Sequence, residues 1–361
     1  MKKTFFLTLL VSISFFNCST DNNTIDETPI SNELYFPPIN SNEWETLSIS
    51  DLQWNESALQ PLLNYVESKN TKAFLILKNG KIVVEWYSDD FSAIENHSWN
   101  SAAKTLTAFT VGIAQEEGLL DINDASQDYL GINWSSMTDE QEKNITIWHH
   151  LTMTTGMDYT VDHNSCTDPT DLLYKNESGS YWYYHNAGYR LNLEIIESAT
   201  GMAFQNYFNE KIKNKIGMQG AWVNVGCFDL YFSTARCMAR FGLLSLNKGK
   251  WEDDVILNDD TFFSQMTNTS QNLNKAYGYL WWLNGKDNFR LPATEEDFTG
   301  KLIPNAPNDL FAGLGKDDQK VYIIPSENMV VIRLGDNAGV STFGPSSFDN
   351  ELWGKINTLT N

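Results

Sequence analysis

Residues 99–114 read Trp99-Asn100-Ser101-Ala102-Ala103-Lys104-Thr105-Leu106-Thr107-Ala108-Phe109-Thr110-Val111-Gly112-Ile113-Ala114, and the arrangement of the chain follows from this stretch. Leu106, Phe109, Thr110, Ile113 and Ala114 recur at helical spacing, and Gly118 supplies a stop. A helix that begins at Ser101 carries Ser101 and Lys104 on one face, one turn apart. A serine at a helix N-terminus meets the positive end of the helix dipole, which favours an alkoxide. A lysine amine beside it can take its proton once burial or neighbouring positive charge lowers the amine's pKa. Taken alone, Ser-x-x-Lys is common by chance, and the plainer reading is Ser101 as a simple N-cap.

On the N-terminal side, residues 73–77 and 82–86 are apolar, β-branched runs flanking Lys78-Asn79-Gly80-Lys81, a strong hairpin signal. A helix is expected over 56–68. On the C-terminal side, helices are expected over 187–198, 203–215 and 233–246, so residues 120–250 read as helices and loops. Strands return at 279–283, 319–324 and 329–334, with Pro325-Ser326-Glu327-Asn328 as a turn, and a last helix is expected over 348–359. Strands therefore lie at both ends with helices between. The expected fold class is α+β: one antiparallel sheet built from both termini, flanked by helices, with a helical region inserted. A cleft should form where sheet and insertion meet.

Two further segments carry chemistry. Tyr184-His185-Asn186 precedes the helix at 187; a tyrosine there can move a proton, and Asn186 can hydrogen-bond a substrate amide or the lysine. The plain alternative is an aromatic core with a turn asparagine. Ala312-Gly313-Leu314-Gly315 leads into the strand at 319. Its glycines permit close backbone approach and leave N–H groups for an oxyanion hole.

The chain has 361 residues, 42% hydrophobic, enough for a large core. With 46 carboxylates against 25 Lys and Arg, the net charge of −21 argues against nucleic acid as a partner. Lys2 and Lys3 precede an apolar run from Phe5 to Phe16, which is too short to span a membrane. Residues 1–17 thus read as an export signal, 18–45 as a polar tether, and 46–361 as the domain. Cys166, Cys227 and Cys237 allow one disulfide and leave one cysteine over. Adjacent His149 and His150 cannot share a helical face as ligands would, and no metal or other cofactor is expected.

In this order and at these intervals, the three chemical segments resemble the serine β-lactamase and penicillin-binding-protein superfamily, above all its class C and carboxylesterase branch, which includes nylon-oligomer hydrolases. Residues 147–157 (IWHHLTMTTGM), 235–242 (ARCMARFG), 277–282 (YGYLWW) and 319–325 (QKVYIIP) resemble further segments of that branch. The resemblance spans roughly 73 to 336. It implies Ser101 as nucleophile, Lys104 as the group that deprotonates it, and Tyr184 as the proton shuttle to the leaving group. Asn186, Gly313, Gly315 and Lys316 would contact substrate, with the backbone N–H groups of Ser101 and Lys316 as oxyanion hole. The expected activity is that of a serine hydrolase forming an acyl-enzyme from a small-molecule ester or amide. The start of the chain resembles a bacterial lipoprotein signal with Cys18 as the lipidated residue, which implies an exported protein touching membrane only through that lipid.

The departures narrow the expectation. Gly313 stands where β-lactamases and D,D-peptidases of the superfamily carry the Lys or His that holds a substrate carboxylate. Cell-wall-like substrates are thereby disfavoured, though a β-lactamase or D,D-peptidase stays an alternative. So does a catalytically silent surface lipoprotein that binds a ligand in the same cleft. Cys237 replaces an aspartate and is expected to be structural, with Cys166 or Cys227 as disulfide partner. Asp317-Asp318 replaces glycines and is expected to add negative charge near the cleft. His185 replaces a serine, as a proton relay or as packing. Trp99, Trp148, Trp182, Tyr183, Trp281 and Trp282 divide between core and acyl pocket.

Overall fold

The computed structural model describes residues 33–339 and 344–361. The expected signal and Cys18 lie outside these. The principal strands, in chain order, are Thr71–Lys78 (β1), Lys81–Tyr87 (β2), Ala221–Val225 (β3), Phe228–Ser233 (β4), Trp282–Leu283 (β5), Phe311–Gly315 (β6), Gln319–Ile324 (β7) and Met329–Gly335 (β8). Six of them form one antiparallel sheet in the order β2-β1-β8-β7-β6-β5. It is built from both ends of the domain. Asn79 and Gly80 take φ of +50° and +81°, which lets the β1–β2 turn match the strand twist.

The principal helices are Leu59–Ser68 (α1), Lys104–Glu116 (α2), Ile147–Thr152 (α3), Asn186–Thr200 (α4), Ala235–Leu246 (α5) and Ser347–Thr360 (α6). Every residue of β7 and β8 is buried, because helices cover both sheet faces. On one face Tyr322 packs edge-on against Trp353 of α6. On the other, Gly242 of α5 sits over Val330 so closely that a Cβ would lie 2.5 Å from its Cγ1. Near-continuous apolar strands are what such double coverage requires.

A buried polar cluster lies under this end of the sheet. Lys320 bridges Asp318 at 3.2 Å and Asp349 at 3.0 Å. The Tyr322 hydroxyl donates to Asp349 at 2.5 Å. Asp318 also accepts from Ser346 Oγ and from the Ala338 amide. The Asp318 carboxylate is therefore charged but turned into the protein and paired, rather than adding charge to the cleft: against burial, the Lys320 ammonium and these hydrogen bonds hold its pKa below the usual value.

Three other expectations are corrected. The chain from Tyr35 is docked, not a tether: the Tyr35 amide donates to Asn79 O, Phe36 is buried, and the Arg240 guanidinium binds the carbonyls of Pro37, Pro38 and Ser41. The insertion contains the β3–β4 hairpin, whose alternating Ala-Trp-Val-Asn-Val and Phe-Asp-Leu-Tyr-Phe runs flank Gly226-Cys227. The strand expected over 279–283 shrinks to two residues, because Leu280 takes φ of +61°.

Candidate active site

The site grows from the buried helix α2. Every residue from Lys104 to Ala114 is buried, since small and apolar side chains surround the helix and its threonines bond backward. Thr105 Oγ1 donates to Ala102 O and Thr110 Oγ1 to Leu106 O, both at 2.7 Å. The turn before it is tighter than expected. Asn100–Ala103 is a 3₁₀ turn, entered through Asn100 at φ +47°. Three residues per turn stack Ser101 directly over Lys104. The Lys104 ammonium, when protonated, donates to Ser101 Oγ at 3.1 Å.

Among the described residues, Lys104 has no carboxylate partner. Its Nζ lies 4.2 Å from the ring centre of Tyr189 and 5.3 Å from that of Tyr184. Burial pushes its pKa from 10.5 down to about 7. Ser101 lies near enough to the Tyr184 hydroxyl to act on its acidity, lowering its pKa against the larger effect of burial. Burial pushes the Tyr184 pKa upward, so this phenol keeps its proton at neutral pH. Its ring stacks on Trp282 with centres 5.9 Å apart.

Asn186 is the first residue of α4 and lines the cavity at Ser101 and Lys104. Its Nδ2 donates to Ser165 Oγ at 3.4 Å rather than to the lysine. Tyr189 and Arg190 follow at i+3 and i+4 and line the same cavity. Sequence reasoning missed both, although this spacing was there to be used. Arg190 pairs with Asp229 at 2.7 Å, a contact across 39 residues that has no local signal.

Strand β6 closes the other side. A Cβ at Gly315 would lie 2.5 Å from Trp99 O and 3.0 Å from Ala102 N. Only glycine lets the strand end press on the 3₁₀ turn. Asn100 Nδ2 donates to Lys316 O at 2.8 Å, joining the turn to the strand end, while the Lys316 side chain is exposed. Gln319 and Arg333 take the carbonyl of Asp317, and Gln319 also reaches that of Lys316. Gly313 faces the same helix; a Cβ there would meet Val321, Ala102 O and Thr105 at 2.8–3.1 Å. Thus Ser101, Lys104, Tyr184, Asn186, Gly315 and the Lys316 backbone converge, and no cation stands at Gly313.

The remaining candidates resolve as packing. His185 is buried with Tyr159, Tyr181 and Tyr183 in a separate small cavity, and burial lowers its pKa to about 4. His150 Nδ1 donates to Gly188 O and its Nε2 accepts from Ser126 Oγ, which fixes α3 against α4. Trp99, Trp182, Trp281 and Trp282 are buried, while Trp148 and Tyr183 are partly exposed. Cys166 is bonded to Cys227, so Cys237 is not the disulfide partner expected; it is free and buried, accepting from the Gln219 amide. No cluster of three or more metal-ligating side chains occurs among the described residues.

A sheet built from both chain ends, with Ser-x-x-Lys at the head of a buried helix between sheet and insertion, defines a hydrolase of the β-lactamase fold. The family model described as Beta-lactamase matches residues 67–336, and the chain belongs to that family. An uncharacterised protein of Alkalihalophilus pseudofirmus is 23% identical over 311 residues, 76% of this chain and 86% of that protein. Among solved structures, a proposed 6-aminohexanoate-dimer hydrolase from Bacillus anthracis has a TM-score of 0.66 at 19% identity, covering 90% of this chain and 88% of its own. A family VIII carboxylesterase has a TM-score of 0.61 at 14% identity, covering 83% and 96%.

Proposed function

We propose that this protein is a serine hydrolase acting on small, uncharged esters or amides through an acyl-enzyme on Ser101. One observation carries the reading: Ser101 is hydrogen-bonded to a buried lysine with a pKa near 7 and lies beside a tyrosine that stays protonated. The two neighbours are pushed apart in acidity, which divides their roles. Lys104, largely neutral at neutral pH, accepts the Ser101 proton as Oγ attacks the carbonyl carbon. The Tyr184 phenol then donates a proton to the departing alkoxide or amine and recovers one from Lys104. The backbone N–H groups of Ser101 and Lys316 hold the oxyanion, since Gly315 lets the strand approach the turn. Water, deprotonated through the same pair, releases the acid.

Gly313 favours esters and amides over β-lactams, because nothing there meets a substrate carboxylate. The names of the solved neighbours, an amide-dimer hydrolase and a carboxylesterase, are consistent with that choice. Export with a lipid on Cys18 remains part of the proposal, and the Cys166–Cys227 disulfide supports an oxidising compartment. The test is a panel of p-nitrophenyl esters, an aryl amide and nitrocefin, run on wild type and Ser101→Ala. Hydrolysis of esters or amide that vanishes in Ser101→Ala supports the reading. Nitrocefin as the one good substrate moves the protein to the β-lactamases, and equal rates in both proteins refute Ser101.

A further inference from the structure

The β3–β4 hairpin has two unlike faces. Cross-strand pairs Trp222–Tyr231 and Asn224–Asp229 share one face; the two rings of the first pair pack 5.3 Å apart, Tyr231 in the core and Trp222 half-buried against it, while Asn224 is exposed at the tip. The alternate pairs Ala221–Phe232, Val223–Leu230 and Val225–Phe228 form the outer face. That face is apolar throughout and open at its tip, with Leu230 and Phe232 half-buried. Val223, Val225 and Phe228 are 43%, 51% and 41% exposed. A chain of net charge −21 has no shortage of polar residues, so three such neighbours in the open ask for an occupant.

The same face runs into the catalytic cavity. Phe228 and Leu230, together with Asp229 of the other face, line the space that holds Ser101 and Lys104. The hairpin is also tied there. Cys227 in its turn is bonded to Cys166, and the neighbouring Ser165 accepts from Asn186. The space at Ser101 itself is about 20 Å³, enough for a water or the reacting atoms. The rest of any substrate must therefore lie outside it. The charges at this rim are neutralised, since Arg190 is paired with Asp229.

From these contacts we infer that the outer face of β3–β4 is a subsite for an unbranched apolar chain on the acyl side of the substrate. This rests on the Ser101 reading above. The acyl carbon sits at Ser101, and the chain leaves past Leu230 and Phe228 and lies along Val225 and Val223. A methylene covered on one side gains about half of what full burial gives, or roughly twofold per carbon. Six methylenes then favour an octanoyl over an acetyl group by about 60-fold.

Two fluorophosphonates test this, one with a methyl and one with a heptyl group on phosphorus. In each, the Ser101 Oγ–P bond forms, the P–F bond breaks, fluoride leaves and the hydroxyl proton passes to Lys104. Labelling rates are followed by intact-protein mass spectrometry on the full chain. The wild-type heptyl-to-methyl rate ratio is expected to be about 60. In Val225→Thr/Phe228→Ser, which changes only exposed side chains, the ratio should fall below about 10. A wild-type ratio near 1, or a ratio that both substitutions leave unchanged, overturns the subsite while leaving Ser101 in place. Labelling by neither reagent overturns the Ser101 reading and the subsite with it. A wild-type dimer that Val225→Thr/Phe228→Ser makes monomeric in sedimentation, or binding to neutral phosphatidylcholine vesicles lost in the same variant, assigns the face to another occupant and likewise overturns it.

Discussion

Replacing Lys104 by Met separates the chemistry of the lysine from its cost to the fold. The pKa depression from 10.5 to about 7 corresponds to about 5 kcal/mol disfavouring the buried ammonium. The faces of Tyr189 and Tyr184 pull the other way, by up to about 2 kcal/mol, or little more than one pH unit. Below pH 7 the folded and unfolded chains both carry the ammonium, and the folded state bears the whole penalty. Between pH 7 and 10.5 only the unfolded chain binds the proton, so wild-type stability rises with pH across that window. Met fills similar space without a charge. Lys104→Met should therefore gain on wild type by about 2 to 4 kcal/mol at pH 6 compared with pH 10, measured by urea unfolding. The same free base governs reactivity. Fluorophosphonate labelling of wild type should rise with a single ionisation whose midpoint lies between about pH 7 and 8.5, and Lys104→Met should lose at least about 10³-fold. A flat pH profile, a midpoint above pH 9, or a variant labelled as fast as wild type would refute the assignment of Lys104 as base.

Tyr184→Phe removes the proton donor yet keeps the ring on Trp282, so kcat for an aryl amide should fall about 10²- to 10⁴-fold in steady-state assays. Gly315→Ala places a Cβ 2.5 Å from Trp99 O; with the oxyanion donors displaced, ester kcat should drop about 10²-fold or more while circular dichroism stays native. Lys320→Met leaves Asp318 and Asp349 buried without their cation and should destabilise by about 3 to 5 kcal/mol in a denaturant titration. Opening the Cys166–Cys227 loop, 61 residues in sequence separation, by Cys227→Ser should cost up to about 4 kcal/mol by the same measurement.

Much of the fold was legible because its signals are local. Asn79-Gly80 between apolar runs specifies the first hairpin, and the buried periodicity of 104–114 specifies the central helix. The expected Ser101–Lys104 proximity holds, but through a 3₁₀ turn whose tightness depends on Asn100 at positive φ, a strained choice that propensity does not announce. The β3–β4 hairpin escaped notice because Gly226-Cys227 sits in a region dominated by helical periodicity, and because a disulfide to Cys166 helps to hold it. Long-range contacts were illegible for the same reason. Arg190 with Asp229, and Lys320 with Asp318 and Asp349, join elements that only tertiary packing brings together. Gly313 and Gly315 were legible as glycines, whereas the reason at Gly315, the Trp99 carbonyl pressed against it, was not.

Acid-quench trapping of a slow p-nitrophenyl ester or aryl amide, followed by peptide mass spectrometry, tests the central claim most directly. An acyl group on the peptide containing Ser101, formed at the rate of the p-nitrophenol burst and absent in Ser101→Ala, is the predicted result. Turnover of the same substrate with no adduct on Ser101, or with the adduct on another residue, would contradict it.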